Sequence, residues 1–307
     1  MQVYVSVDME GVAGIVHVDQ TRRTGHDYEK ARRWMTAEAN AAVLGAFDAG
    51  ATGVVVNDSH GDMRNLLLDE LDARAEILSG SLKPLSMVQG VGSTHGVALF
   101  VGYHAGAGSH AGILDHTYYG RVVARCRLSG RVANEALLNA IVCGELGVPL
   151  GLVTGDQTVC AQVRETFGEG VVTVAVKEST SRYAARSISP ELARAKIREG
   201  ARRAVERAPE LAPFRPPAPH VLEIDFVNSG CADAAELVPG TRRLDGLTTR
   251  YEAPDGDTLI RVIQAWTVLA GSTMVCPELV RQITLKPPRS TTACARSSAM
   301  LLRGCRD

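Results

Sequence analysis

Short apolar runs alternate with stretches of helical periodicity through the first 180 residues of this chain. Five such runs are rich in β-branched residues, at positions 2–7, 52–57, 96–103, 149–155 and 171–176. A near-continuous apolar run is typical of a strand that is buried on both faces, as in a parallel sheet covered by helices. We therefore predict an α/β fold with a mainly parallel sheet that is flanked by helices.

The stretches between these strands show the signals expected of helices and of one hairpin. Residues 27–50 and 131–147 have helical period, and both end near a glycine. Between them, residues 118–133 are typical of a β-hairpin that turns at Ser129-Gly130. The first half of the chain thus combines crossover helices with one antiparallel element.

The second half of the chain changes character after a basic-faced helix, which we predict within 181–210 with Pro190 at its start. The segment FRPPAPH (214–220) has three prolines in four positions and is the best linker candidate. The C-terminal segment is rich in proline, serine, threonine and arginine, without periodicity. We predict an α/β catalytic domain, a smaller α+β lobe and a disordered tail, spanning 1–212, 218–285 and 286–307.

Composition and charge exclude several classes of protein. The 307 residues carry 33 basic and 34 acidic side chains, so there is no electrostatic footprint for nucleic acid or anionic membrane. No run of about 18 uncharged apolar residues occurs, and the acids at positions 8 and 10 indicate a strand rather than a signal peptide. Seven scattered cysteines without a C-x-x-C pair indicate reduced thiols. We expect a cytoplasmic protein without nucleic-acid or membrane partners.

Polar side chains that can bind metal follow four of the predicted strands, at the point where each strand ends. In chain order they are Asp8 with Glu10, Asp58 with His60, His104, and Asp156. Because ligands of open parallel sheets bind outside the carboxyl ends of the strands, several of these side chains can converge in one crevice. Each residue alone is explained as a turn or cap residue, whereas their joint placement predicts a metal or catalytic site.

The residue types narrow the choice of metal. Asp, Glu and His without thiolate suit zinc in a catalytic site, with manganese or cobalt as alternatives. Asp8 and Glu10 lie two residues apart and would face the same side of a continuing strand. One carboxylate can bridge two ions about 3.5–4 Å apart, as in two-metal hydrolases. Glu135 is a further candidate ligand, although its position alone favours a first-turn glutamate that complements a helix dipole.

Six segments together resemble a known family, the zinc D-aminopeptidases of bacterial dipeptide-transport operons, the DppA type. The likeness runs in order from residue 1 to about residue 275. The S-x-D-x-E-G opening combined with N-D-S-H is specific, far more so than a lone short motif. The segments are SVDMEGVAGI (6–15), VNDSHGDMRNLL (56–67), SGSLKPLSMVQG (79–90), LFVGYHAGA (99–107), GILDHT (112–117) and NEALLNAIVCGELGVP (134–149).

The resemblance implies a dinuclear zinc site with two Zn²⁺ ions per subunit. Asp8 would be the ligand that bridges the two ions. Glu10 and His60 would complete the coordination of one zinc. His104 and Glu135 would complete that of the other.

The resemblance also implies an activity and an assembly. The catalytic histidine would be His116, in GILDHT, acting as general acid or base or as a nucleophile. Without the resemblance, His116 is explained more simply as a residue that begins the following strand. The substrates would be short peptides with an N-terminal D-amino acid, of the D-Ala type. Members are similar in forming ring-stacked homodecamers with the sites facing an internal channel.

Two other classes of function stay open on the sequence. The same crevice suits another two-metal amidohydrolase or a phosphoesterase, although no Arg or Lys clamp is evident near the predicted strand ends. A peptide-binding scaffold that kept the fold without turnover is the third candidate. All five ligand positions carry side chains that can bind metal, which argues against the scaffold.

Overall fold

The computed structural model of this protein describes residues 1–274, which contain two β-sheets and seven α-helices. The strands, in chain order, are β1 Gln2–Val7, β2 Gly53–Asp58, β3 Ala75–Leu78, β4 His95–Tyr103, β5 Val123–Leu128, β6 Arg131–Val132, β7 Leu150–Asp156, β8 Val172–Ser181, β9 Ala184–Ser187, β10 His220–Phe226, β11 Arg242–Arg243 and β12 Thr248–Ala253. The helices are α1 Val18–Thr21, α2 Tyr28–Asp48, α3 Glu135–Glu145, α4 Gln157–Phe167, α5 Pro190–Arg207, α6 Ser229–Glu236 and α7 Gly256–Thr273.

The main sheet has seven strands in the order β3-β2-β1-β4-β7-β8-β9. Every neighbouring pair is parallel except β8 with β9. Helices α2 and α5 supply the apolar layer on one face, and α3 supplies part of the layer on the other. β7 is buried along its whole length, as its apolar sequence requires. The predicted α/β fold with a mainly parallel sheet is confirmed.

The second sheet has five strands in the order β11-β12-β10-β5-β6, and all its pairs are antiparallel. Together with α6 and α7 it forms the smaller α+β layer that the sequence predicts. The hairpin β5–β6 turns at Ser129-Gly130 as predicted. Both residues have positive φ, 49° and 83°, which a two-residue hairpin turn of type I′ requires.

The basic-faced helix begins at Pro190, as predicted. The side chain of Ser189 accepts a hydrogen bond from the N–H of Leu192 and caps α5 at this point. The residues before the cap form β9, which adds to β8 as an antiparallel edge strand. Pairing with β8 thus outweighs the helical propensity of this short stretch.

The predicted division of the chain into 1–212 and 218–285 stays a prediction. Between residues 211 and 219 the backbone forms neither helix nor strand. The predicted tail, 286–307, lies outside the described residues. No helix within residues 1–274 is both long and apolar enough to cross a membrane.

The strand order places three carboxyl ends side by side. β1 pairs with β2 on one side and with β4 on the other, both in parallel. The side chains that follow these three strands therefore meet at one edge of the main sheet.

Candidate metal centre

The carboxylate of Asp8 lies between two imidazole rings at the carboxyl edge of the main sheet. Asp8 directly follows β1 and is 3% exposed. Its Oδ1 lies 3.2 Å from Nδ1 of His60, which follows β2. Its Oδ2 lies 3.3 Å from Nε2 of His104, which follows β4. The two oxygens of this carboxylate thus face two different histidines.

The first ligand group consists of Asp8, Glu10 and His60, all buried, with ligand atoms within 4.8 Å of one another. Glu10 Oε2 lies 2.9 Å from His60 Nδ1. The other ring nitrogen of His60 lies 2.7 Å from the main-chain carbonyl of Thr21, to which it can donate. A neutral ring held in this way turns the lone pair of Nδ1 toward the two carboxylates.

The second ligand group consists of His104, His116 and Glu135, again within 4.8 Å of one another. Glu135 Oε2 lies 3.5 Å from His104 Nε2. Each histidine can donate from Nδ1 to a main-chain carbonyl, His104 to Ala105 at 3.0 Å and His116 to Leu114 at 2.8 Å. The two rings stack with centroids 4.1 Å apart and an interplanar angle of 11°. Nε2 is therefore the free ring nitrogen in both histidines.

A helix cap places Glu135 in this group. The side chain of Asn134 accepts a hydrogen bond from the N–H of Leu137 and makes Glu135 the first residue of α3, four residues after the start of the predicted range 131–147. Glu135 Oε1 accepts the N–H of Tyr118 at 2.7 Å, which leaves Oε2 for His104. A carboxylate at this position is also stabilised by the helix dipole, so the structural and the ligand interpretation of Glu135 are compatible.

Three buried polar atoms of the site, Asp8 Oδ2, Glu10 Oε2 and His104 Nε2, lie close to another site atom but make no hydrogen bond of good geometry within the described residues. Leaving such atoms unpaired is costly in a protein interior. Carboxylate oxygens and imidazole nitrogens without thiolate are the donor set of catalytic zinc sites. The residues present therefore fit zinc, and Asp8 Oδ2, 3.3 Å from His104 Nε2, brings a carboxylate of the first group beside the second.

Histidines and carboxylates of the site shift one another's pKa values. Burial alone would lower the pKa of His60 and His104, but the facing carboxylates raise both pKa values well above the usual range. Burial alone would raise the pKa of Glu10, but the facing His60 holds it well below the usual range. The carboxylate of Glu10 is thus stabilised by a positive charge on the ring beside it. A metal ion supplies that charge when it displaces the imidazole protons, so metal affinity should weaken at low pH.

Two of the predicted strand-end residues, Asp58 and Asp156, lie outside both ligand groups. Asp58 Oδ2 accepts the N–H groups of Asn65 and Leu66 at 2.5 and 2.8 Å, which shapes the loop after His60. Asp156 caps α4 through Oδ1, and its Oδ2 accepts the N–H of Ile113 at 2.8 Å. Both carboxylates therefore support loops that carry site residues.

Charged residues that the sequence analysis did not single out support the same site. Glu38, in α2, and Lys177, in β8, both bind the segment that follows Asp8. Lys83 binds the carboxyl end of β2. The sequence did contain a signal for these residues, since each charged side chain lies beside or within an apolar segment. Charged side chains are rarely buried in such segments unless they are paired.

The buried carboxyl group of Glu38 should make the free energy of unfolding depend on pH. Its Oε1 accepts the N–H of Ala13 at 2.9 Å, and burial raises its pKa from 4.5 to about 7. A carboxyl with a raised pKa in the folded state costs no stability below about pH 4, and its destabilising effect grows as the pH rises to about 7. Since one pKa unit corresponds to about 1.4 kcal/mol, the full effect is about 3 kcal/mol.

We expect Glu38→Gln to raise the free energy of unfolding of the metal-free protein by up to about 3 kcal/mol above pH 7, and to leave it unchanged near pH 4. The amide keeps a carbonyl acceptor for Ala13 but carries no charge. Urea unfolding of the parent and the variant at the two pH values measures the difference. An equal effect at both pH values would contradict this interpretation.

Comparisons with known proteins agree with the geometry. The family model Peptidase_M55, described as D-aminopeptidase, matches residues 1–265. The chain is 38% identical over 281 residues to the D-aminopeptidase of Bacillus subtilis (strain 168), which covers 90% of this chain and 100% of that protein. The fold matches the solved structure of the "Zn-dependent D-aminopeptidase DppA from Bacillus subtilis, a self-compartmentalizing protease" with a TM-score of 0.86, at 36% identity, over 90% of this chain and 100% of that one. This chain therefore belongs to the D-aminopeptidase family Peptidase_M55.

Proposed function

We propose that this protein is a zinc-dependent aminopeptidase that removes a D-amino acid from the N terminus of short peptides, at a centre of two zinc ions. The observation that carries the proposal is the carboxylate of Asp8, with one oxygen facing each ligand group. Membership of the D-aminopeptidase family supports the activity, and the zinc dependence of the Bacillus subtilis relative supports the metal.

The proposed ligands divide between the two ions. Asp8 would serve both, Glu10 and His60 would hold one, and His104 and Glu135 would hold the other. Zinc in such a site polarises the scissile carbonyl and lowers the pKa of water. The main-chain carbonyls that bind the far nitrogens of the histidines fix which ring nitrogen faces the site.

His116 is the proposed catalytic residue. Its ring is half-buried, whereas His104 beneath it is fully buried, so substrate can reach the ring of His116. With Nδ1 bound to the carbonyl of Leu114, Nε2 is free to accept a proton from an attacking water and to return it to the leaving amine. The same position would also suit a fourth protein ligand for the second ion, beside Asp8, His104 and Glu135. The metal content of a His116 variant separates the two roles.

The resemblance further supports a homo-oligomeric assembly, and we infer a cytoplasmic homodecamer. The Bacillus subtilis structure is described as a self-compartmentalizing protease, which requires several subunits around an internal space. Sedimentation velocity of the purified protein measures the assembly, and a monomer at micromolar concentration would overturn this part of the proposal.

The substrate test uses dipeptides that differ in one property at a time. We expect D-Ala-D-Ala to be cleaved much faster than L-Ala-L-Ala, and N-acetyl-D-Ala-D-Ala not to be cleaved. Release of alanine is measured with zinc-loaded protein and after chelation. Equal rates on both enantiomers would leave a two-metal hydrolase without the D-specificity. No turnover of any peptide would favour a phosphoesterase or a binding scaffold, which phosphoester substrates then distinguish.

A further inference from the structure

Lys177 is a buried lysine whose ammonium contacts the segment that carries two of the proposed zinc ligands. It lies in β8, is 2% exposed, and is distant in sequence from that segment. Its Nζ donates to three main-chain carbonyls, those of Glu10 at 2.6 Å, Val12 at 2.7 Å and Ile15 at 2.7 Å. The three donors of one ammonium are thereby all used on one turn of backbone.

Lys83 makes a parallel set of contacts on the other side of the site. It is 6% exposed and lies in the loop between β3 and β4. Its Nζ donates to Oδ1 of Asn57 at 2.6 Å, to the carbonyl of Asp58 at 2.8 Å and to the carbonyl of Leu78 at 3.3 Å. Asn57 and Asp58 end β2, two residues before His60. Both lysines therefore hold backbone that leads directly into the Asp8–Glu10–His60 group.

The two lysines do more than fill space in the interior. A buried ammonium is costly, and an apolar side chain would fill the same volume without that cost. The backbone they hold is closely fitted: the N–H of Gly11 donates to the carbonyl of Gly102 at 2.8 Å, and a Cβ on Gly11 would lie 1.9 Å from the carbonyl oxygen of Tyr103. Without Lys177, the carbonyls of Glu10, Val12 and Ile15 would each lose a hydrogen-bond donor, and the turn would relax.

We propose that Lys83 and Lys177 are positioning residues for the zinc centre: each fixes the backbone that carries ligands of the Asp8–Glu10–His60 group, and neither contacts zinc or substrate. The inference rests on the proposed function for the identity of the metal. Asp8 and Glu10 depend on Lys177, and His60 depends on Lys83, so the loss of either lysine should loosen the same ligand group.

The test measures zinc binding and ligand geometry without substrate. Lys177→Met and Lys83→Met should fold, and each should bind zinc 10- to 100-fold more weakly than the parent in competition with a chromophoric chelator, the range typical of residues that orient metal ligands. The visible absorption of the Co²⁺-loaded variants should also differ from that of the parent. Parent-like zinc affinity together with a parent-like cobalt spectrum would overturn the proposal.

A matched control separates positioning from general stability. Ile263 is fully buried in α7, within the second layer of the fold, and Ile263→Ala should lower the melting temperature without changing zinc affinity or the cobalt spectrum. Where a methionine variant fails to fold, Lys177→Arg and Lys83→Arg take its place. The planar guanidinium keeps the charge but cannot direct three donors at one turn of backbone. Weaker zinc binding with a changed cobalt spectrum would therefore support the proposal, and parent-like values of both would overturn it.

Failure of this inference is distinct from failure of the proposed function. A parent that binds zinc but cleaves no D-peptide removes the proposed activity and leaves the roles of the lysines intact. A parent that cleaves D-peptides, with lysine variants that retain full zinc affinity, removes only the positioning roles.

Discussion

Replacing Asp8 by alanine should lower kcat/KM on D-Ala-D-Ala by at least about 10³-fold, more than the 10- to 100-fold typical of residues that only support a ligand. The parent should hold about two zinc ions per chain, as a two-metal site requires, and the variant clearly fewer. The reason is geometric: the two carboxylate oxygens of Asp8 face His60 and His104 at 3.2 and 3.3 Å, so one substitution removes a ligand from both groups. Elemental analysis and steady-state kinetics on the same preparations measure the two effects.

An exposed carboxylate elsewhere provides the control for Asp8. Asp69 lies on the surface after β2, and Asp69→Ala should keep the parental metal content and rate. Circular dichroism of both variants checks that the fold is retained. A parent protein that stays fully active after chelation has removed all its metal would refute the proposed centre.

The location of the candidate site could be predicted from local sequence patterns, because the residues that follow parallel strands all lie at the same edge of the sheet. Asp8, His60 and His104 each follow an apolar run, and the structure brings them together since β1 lies between β2 and β4. The sequence indicated only that the carboxyl ends of parallel strands lie at the same edge of a sheet. The structure adds the order of the strands, in which β2, β1 and β4 are neighbours.

Aspartates at the ends of apolar runs have different roles in the structure, and contacts with residues distant in sequence decide which role each has. Asp58 and Asp156 also follow apolar runs, yet both accept backbone N–H groups from neighbouring loops. Spacing along the chain does not distinguish a carboxylate that faces a histidine from one that faces an amide. The same limit applies to Lys177, whose partners lie more than 160 residues away.

The pairing of strands between distant parts of the chain was likewise not predictable from local patterns. The hairpin β5–β6 was predicted with the correct turn, but its pairing with β10, about 100 residues later, leaves no trace in local periodicity. Residues 184–187 form an edge strand because β8 offers a free edge beside them, although their composition suits a helix. Local patterns specified the elements, and long-range pairing decided which sheet they joined.

Glu135 and His116 were placed by resemblance, and the structure supplies a physical reason for each position. Glu135 enters the site because Asn134 caps α3 and turns its first residue toward His104. His116 enters because the loop before it is held at Asp115, whose carboxylate accepts the N–H groups of Gly108 and Ser109 and pairs with an arginine from the β8–β9 turn. Neither contact is visible in the spacing of the sequence.

His116→Ala should lower kcat at least about 10²-fold while the zinc content and the folded state stay those of the parent, the scale expected for loss of a general acid–base group. The ring stacks on His104 and has Nδ1 bound to the carbonyl of Leu114, so its free Nε2 is presented from the accessible side of the second ligand group. Because a general acid–base group acts in the transition state, kcat should fall more than KM changes. Stopped assays for released alanine, with elemental analysis of the same samples, give both quantities.

His110 offers the control for this last experiment, because it lies exposed in the same loop outside both ligand groups. His110→Ala should keep the parental kcat, which shows that the loop tolerates loss of an imidazole. Loss of one zinc from His116→Ala would make His116 a ligand of the second ion, in line with its place within 4.8 Å of His104 and Glu135. Retained turnover with unchanged metal would instead assign the ring a packing role against His104. Only a large fall in kcat at constant metal content identifies His116 as a catalytic residue, whether it moves a proton or acts as a nucleophile.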